Sequence, residues 1–338
     1  MSTDRKRLVL RAAALCAAAL LALAGGLALI DRWQQDRYRE TRIPGTDEFM
    51  QTGTVMWEGE AYRKIPAVTT ILIAGIDQEA DAQLGVGTSR YRNGGQADFL
   101  LLLAIDHTNR QIRQLQIDRD TMTDVTVLSV YGRVMDSQVM QICLSHSFGA
   151  NREENARYTV RAVQGLMNGM EIDGYYMLDY SAVSVLNDAL GGVTVTVPDD
   201  MTSVNPAWEK EKDVTLTGSE AETFVRTRQT VGAGTNEERM RRQKEFMQKA
   251  LSLLRARLSR DSTFGSRLLS VLRRYGVTGF SSQQLLEEMQ KSAGYEVLPV
   301  EYLEGSYTIG NSGYMEFYPA EGSAEKWIMQ NLYTRKQP

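Results

Sequence analysis

The chain has little of the residue types that carry covalent or metal-centred chemistry. Of its 338 residues only two are cysteine, Cys16 and Cys143, and two are histidine, His107 and His146. The cysteines stand far apart, so no disulfide framework is implied, and Cys143 reads as a small buried hydrophobe. Thiols and imidazoles this scarce exclude an ordinary zinc site. No Ser-His-Asp or Cys-His arrangement is visible either. An excess of one charge is also missing, since 38 basic residues face 42 acidic ones for a net of -4. That balance gives no reason to expect nucleic acid as a partner. There is no internal repeat, low-complexity tract or disordered tail, and a hydrophobic fraction of 43% suffices for a packed core.

Arg5, Lys6, Arg7 and Arg11 precede a long apolar run, Ala12–Ile30. About 20 apolar residues span a bilayer core as a helix, and a basic flank stays in the cytoplasm. Ala22 and Ala24 offer the small residues of a signal-peptide cut. The run passes them and is longer than a signal core, so an uncleaved anchor is expected. Leu15 before Cys16 argues against a lipoprotein anchor. The expected order is a cytoplasmic tail (1–11), a transmembrane helix (12–30) and an extracellular stalk (31–67). A folded domain (68–258) and a C-terminal extension packed on it (259–338) follow. The protein is expected in the cell membrane, spanning it once.

Thr69–Ala74 reads as a strand running into Gly75-Ile76-Asp77. Gln96-Ala97-Asp98 leads into the uninterrupted run Phe99–Ile105, a strand buried on both faces. Asp106–Asn109 is turn chemistry. Gln111–Ile117 alternates polar and apolar, returns antiparallel and ends in Asp118-Arg119-Asp120-Thr121. If the first two strands also pair antiparallel, Asp77, Asp98, Arg119 and Asp120 share one sheet rim. Two carboxylates and an arginine there suit a hard divalent cation beside a phosphate. Taken singly, such residues merely end strands. Helices over 151–168 and 180–190 alternate with strands over 172–178 and 193–197, the pattern of a layered α/β domain. Gly191-Gly192 closes the second helix. Ser219 with Glu222, and Thr235 with Glu238, read as capping boxes of two further helices.

Val225–Gln243 carries five arginines. Arg226 and Arg228 share a face if extended. Arg239, Arg242 and Gln243, spaced three and four apart on a helix, share a face that continues to Phe246 and Ala250, with Arg241 off it. Alone, the stretch is either a solvated helix start paired with Glu237 and Glu238, or a set of planar donors for a phosphate.

Gly75-Ile76-Asp77, Ala97-Asp98, Arg119-Asp120-Thr121, Asp188–Val193, Leu216-Thr217-Gly218, Val225–Arg228 and Arg239–Gln243 stand in an ordered set. In that order and spacing, over roughly residues 68–255, the chain resembles the LytR-CpsA-Psr family. The resemblance implies a three-layer α-β-α sandwich around a mixed central sheet, outside the membrane, with an apolar tunnel for a polyprenyl chain. It implies transfer of a phosphorylated glycopolymer from a polyprenyl-pyrophosphate carrier to peptidoglycan, commonly at a muramic acid 6-hydroxyl. Carried over by position, Asp77 and Asp98 would bind magnesium. Arg119, Arg226, Arg228, Arg239, Arg242 and Gln243 would line the pyrophosphate site.

Two positions depart from the family pattern. Gln96 stands where many members have an arginine, with Arg90 or Arg92 as stand-ins. Asn236 stands where many have an aspartate. An amide cannot act as a base, which leaves Asp120, beside Arg119, as the catalytic carboxylate. These departures keep open a non-catalytic binder of the same lipids, and a pyrophosphatase acting on them is a further alternative.

Overall fold

The apolar run Phe99–Ile105 lies inside a ten-residue strand in which Leu100 and Leu102 have no solvent exposure. In the computed structural model the described residues are 55–77, 95–128, 134–149, 151–227, 231 and 234–336. They fall within one compact unit, Thr52–Pro338. The expected membrane segment 12–30 lies outside the described residues, as do Arg90, Arg92 and Arg228. No helix among the described residues is long and apolar enough to cross a membrane.

The chain begins with strands β1 (Val55–Trp57), β2 (Glu60–Lys64), β3 (Val68–Ile76), β4 (Ala97–Asp106) and β5 (Gln111–Ile117). A hairpin follows, β6 (Met122–Leu128) and β7 (Val134–Gln141), then a 3-10 turn, Ile142–Ser147. Next come helix α1 (Arg152–Leu166), β8 (Gly174–Asp179), α2 (Ser181–Leu190), β9 (Val193–Thr196) and β10 (Asp213–Leu216). Helices α3 (Glu220–Arg226), α4 (Asn236–Arg260) and α5 (Phe264–Leu272) precede β11 (Gly276–Thr278) and α6 (Ser282–Ser292). The chain closes with β12 (Glu296–Glu301), β13 (Gly305–Ile309), β14 (Met315–Pro319), α7 (Ser323–Leu332) and β15 (Tyr333–Arg335).

Six strands form the central sheet in the order β11-β8-β3-β4-β5-β12. Neighbours β3–β4 and β4–β5 are antiparallel, whereas β3–β8 and β5–β12 are parallel. The domain is thus a mixed α/β fold on a mixed sheet. The pairing that a shared rim requires is present, with Gly75 opposite Phe99 and Leu100 opposite Ile117. Both outer strands come from beyond residue 258. The segment before β3 supplies β1 and β2, and β2 pairs with β15. Ile71 and Ile73 of β3, with Leu101 and Leu103 of β4, line a cavity whose other wall is α2, α4, α5 and α6. Helix α1 lies against β8 and β11, and the 3-10 turn against β4.

Helix α4 starts where its capping box puts it. Thr235 Oγ1 accepts from the Glu238 amide, and the Glu238 carboxylate accepts from the Thr235 amide, both at 3.3 Å. Thr235→Ala is expected to cost about 1 kcal/mol in urea unfolding. The box expected at Ser219 does not form. Ser219 has helical dihedrals (φ -71°, ψ -7°), and an N-cap side chain reaches its amide from the extended region. Instead the amide and hydroxyl of Thr217 donate to the Glu220 carboxylate at 2.9 and 2.8 Å. Helix α2 ends at Gly191, whose φ of 83° is the left-handed cap.

Candidate functional site

The site starts from a fault in the sheet. Gly75 pairs with Phe99 but Ile76 pairs with Ala97, so Asp98 is the extra residue of a β-bulge. Bulges re-aim a side chain out of the ladder. A Cβ on residue 75 would lie 3.1 Å from Phe99 Cβ, so a larger residue here would push the two strands apart by a few tenths of an ångström.

Asp98 is nearly buried and takes a guanidinium on each oxygen: Arg119 Nη1 on Oδ1, and Arg239 Nη1 on Oδ2 at 2.8 Å. Arg119 Nη2 also donates to Gln96 Oε1 (2.6 Å) and Cys143 Sγ (3.2 Å), and its Nε lies 3.3 Å from Asp120 Oδ1. Arg239 Nη2 donates to Asn236 Oδ1 at 2.6 Å. Its Nε is buried with no hydrogen-bond partner. A buried N–H left unpaired costs about 1–3 kcal/mol, so an anionic oxygen arriving here would be favoured.

Asp77 follows β3 directly, and its amide donates to Gln96 O at 2.8 Å. Its Oδ1 accepts from Arg226 Nη2, while Arg226 Nη1 reaches Glu222 at 3.2 Å. The Arg226 guanidinium stands 5.7 Å from the Tyr180 ring centroid. Partial burial opposes its charge, but Asp77 and then Glu222 raise its pKa above the ordinary value. Burial also raises the Tyr180 pKa, and Asp98 adds to that. Asp77, Asp98, Arg119, Asp120, Arg226 and Arg239 therefore meet at one rim. Asp120, buried, has Gln141 Nε2 at 3.4 Å from Oδ1, the same oxygen that Arg119 Nε approaches. Arg228 lies outside the described residues.

The helical face divides. Gln243 stays by the site, with its amide nitrogen 3.4 Å from both Tyr180 Oη and Val225 O. Arg242 has no exposed surface and serves a different set of acceptors: Phe224 O at 3.2 Å, Thr227 O, and Asp199 Oδ2 at 3.3 Å. Carbonyls at a helix C-terminus lack intrahelical partners, and Arg242 satisfies two of them at the end of α3. Burial lowers its pKa from the ordinary arginine value. It fastens the segment that carries Arg226. Arg242→Ala is expected to cost about 3–5 kcal/mol in urea unfolding, and Arg242→Lys to recover little, because an ammonium cannot span the same fork. Arg241 is half exposed and pairs with Asp199 and Glu237.

Cys143 is buried, as its sequence context implied, yet it also borders the site through Arg119. Burial pushes its thiol up to about 11, so it stays protonated at neutral pH. Nothing in its sequence neighbourhood signals this contact.

Two carboxylates are what magnesium takes when phosphate oxygens and waters complete its shell. Asp77 and Asp98 fit that donor set. Among the described residues no group of three or more His, Cys, Asp or Glu side chains could hold a metal. A cation at this rim would thus be held jointly with a phosphate rather than by the protein alone.

From the rim an apolar cavity of about 280 Å³ runs beneath the sheet. Gly75, Phe99, Tyr180 and Gln243 line its rim end, and Ile105 and Leu254 lie further along. Phe99 to Ile105 spans about 20 Å at the rise of a strand. An arginine–aspartate rim at the mouth of an apolar cavity, on a mixed α/β domain, suits an amphiphile with an anionic head. The LytR_cpsA_psr family model matches residues 57–326, and the chain belongs to that family.

A curated relative is the polyisoprenyl-teichoic acid–peptidoglycan teichoic acid transferase TagU of Halalkalibacterium halodurans. It is 27% identical over 165 residues, 49% of this chain and 46% of the relative. The match thus spans about half the relative's length. Among solved structures, B. subtilis TagV aligns with a TM-score of 0.58 at 20% identity, over 77% of this chain and 93% of that one. TagT bound to LIIa-WTA aligns at 0.58 and 18% identity, over 79% and 91%. These two share the fold.

Proposed function

We propose that the protein is a phosphotransferase of cell-wall assembly. It moves a phosphorylated glycopolymer from a polyprenyl-pyrophosphate carrier to peptidoglycan. The observation that carries this reading is the apolar cavity ending at Tyr180 and Gln243 beside the arginine–aspartate rim. The polyprenyl tail lies in the cavity and the pyrophosphate at the rim. The activity for which the TagU relative is named, transfer of a teichoic acid to peptidoglycan, is of this kind.

Arg119, Arg226 and Arg239 donate to the pyrophosphate oxygens, and the unpaired Arg239 N–H finds its acceptor there. Asp98 fixes two of these guanidinium groups before substrate arrives, so little reorganisation is needed as charge develops on the leaving phosphate. Asp77 and Asp98 would hold magnesium together with the phosphates, Asp98 sharing oxygens with Arg119 and Arg239, and the ion would supply neutralisation of phosphate charge. Asp120 keeps Arg119 in place. Residues 12–30 anchor the chain in the membrane, with Arg5–Arg11 inside and the domain outside, where carrier and wall both lie.

The test uses the full chain in detergent with a polyprenyl-pyrophosphate sugar, peptidoglycan and magnesium. Sugar joined to peptidoglycan and free polyprenyl phosphate are expected, both much reduced in Arg226→Ala. No joined product, with lipid binding unchanged in Arg226→Ala, overturns the reading. Release without acceptor identifies a pyrophosphatase, and binding without release a carrier protein.

A further inference from the structure

Gln243 lines the apolar cavity, Gln116 lines a second cleft of about 480 Å³, and the two amides meet at 3.4 Å. This cleft lies between α4, the loop after β5 and the C-terminal β13–β14 hairpin. We propose that it seats the acceptor glycan, and that Asp118 on its wall takes the proton from the acceptor hydroxyl. The assignment rests on the transfer reading above.

The cleft has fewer cations than the rim. Asp118, Glu237 and Glu304 line it, against Arg241 and Lys244. Arg241 is already paired with Asp199 and Glu237, and the Lys244 ammonium sits 5.6 Å from the Tyr302 ring centroid. Glu304 is likewise paired, with Lys326 at 2.7 Å, so the wall holds no cluster of spare cations for a phosphate and offers carboxylate oxygens to hydroxyl groups. Tyr302 and Tyr307 are 43% and 49% exposed, with their hydroxyls fixed on Gln116 Oε1 (3.3 Å) and Asp118 Oδ2 (2.6 Å). Tyr307 packs on Phe317 with ring centroids 4.9 Å apart, and the surface that each tyrosine ring leaves exposed is an apolar one, held at low entropic cost, that matches the C–H face of a pyranose. Thr121 also lines the cleft, and its hydroxyl is buried with no hydrogen-bond partner. Buried polar groups are rarely left so, and a ligand hydroxyl would complete it.

Asp118 connects this cleft to the reacting phosphate. Its Oδ1 accepts from Asn236 Nδ2 at 2.8 Å. Asn236 Oδ1 accepts from Arg239, and Arg239 donates to Asp98. The position at which many family members carry an aspartate is thus an amide here, with a carboxylate one hydrogen bond away. Asp120, by contrast, lines neither cavity. In the transfer step the acceptor O–H gives its proton to Asp118 and its oxygen forms the new bond to the sugar-bearing phosphorus. The bridging P–O bond breaks and polyprenyl phosphate leaves with the electron pair, facing Arg226 and Arg239.

The full chain in detergent is titrated with a tetrasaccharide of alternating N-acetylglucosamine and N-acetylmuramic acid. Binding is expected, and Tyr302→Ala should weaken it about ten-fold while leaving polyprenyl-pyrophosphate affinity unchanged. Asp118→Asn should bind both ligands normally and lose about 100-fold or more in kcat, with partial recovery in Asp118→Glu. No tetrasaccharide binding, or equal binding by Tyr302→Ala, overturns the acceptor site. An unchanged kcat in Asp118→Asn overturns the proton role. Tetrasaccharide binding that depends on Tyr302, in a wild-type protein that transfers nothing, leaves the glycan site standing and removes the transfer reading.

Discussion

Asp98→Ala is expected to abolish detectable transfer and to remove about 3–5 kcal/mol of stability, the cost of leaving a buried charge without its partner. Asp98 neutralises two guanidinium groups at once, and Arg239 is even more buried than Asp98 itself. Without it Arg119 retains Asp120, but Arg239 retains only the Asn236 amide. Arg239→Ala alone should cost less, because Asp98 keeps Arg119. The double variant Asp98→Ala/Arg239→Ala should therefore be more stable than the sum of the single losses predicts, by about 0.5–3 kcal/mol in urea unfolding. Additive losses would mean that the two side chains do not act as a pair. Asp98→Asn separates stability from chemistry. It keeps the side-chain shape but turns an N–H toward one guanidinium, and transfer should fall about 1000-fold while the chain still folds. Transfer within ten-fold of wild type in Asp98→Asn would remove Asp98 from the site.

The rim was legible because each contributing strand announces itself. Phe99–Ile105 is apolar throughout, Gln111–Ile117 alternates, and both end in aspartate. The short turn after Asp106 makes the second and third strands antiparallel, and β3 pairs antiparallel with β4 as the shared rim requires. The bulge at Asp98 was not legible, since a one-residue slip depends on the pairing partner rather than on local pattern. Neither was the true environment of Arg242. A helical spacing of three places two side chains on neighbouring directions, but the unpaired carbonyls above one of them belong to α3, and their position is a tertiary fact. Strand β12 was hidden by its own composition. Glu296-Val297-Leu298-Pro299-Val300-Glu301 carries a proline and two acids, as an edge strand can, and its register on β5 shifts between Val297 and Val300. The cavity escaped for another reason. Its lining residues are ordinary core types on ordinary apolar faces, and whether such faces touch or stand apart is settled only by packing.

That gap between faces supports the second large effect. Ala250 lies on α4, lines the apolar cavity and is almost wholly buried. Tryptophan at this position would fill the space that the proposed lipid tail needs. Each methylene buried contributes about 0.8 kcal/mol, so displacing even one five-carbon unit forfeits about 4 kcal/mol. Ala250→Trp is therefore expected to weaken long-chain polyprenyl-pyrophosphate binding by about 100-fold or more. A pyrophosphate on a single five-carbon unit needs only the rim, and its weak affinity should be unchanged. That short ligand is also the control on folding, because the rim assembles only if β3, β4, β5 and α4 are in place. Overpacking should cost about 1–3 kcal/mol in urea unfolding. The measurement is a pair of calorimetric titrations with ligands that share a head group and differ in tail length. Equal weakening of both ligands would show that the substitution has disturbed the rim instead of the tail site. Unchanged binding of both would place the tail outside the cavity, and the rim would then be a pyrophosphate site with no lipid selectivity of its own.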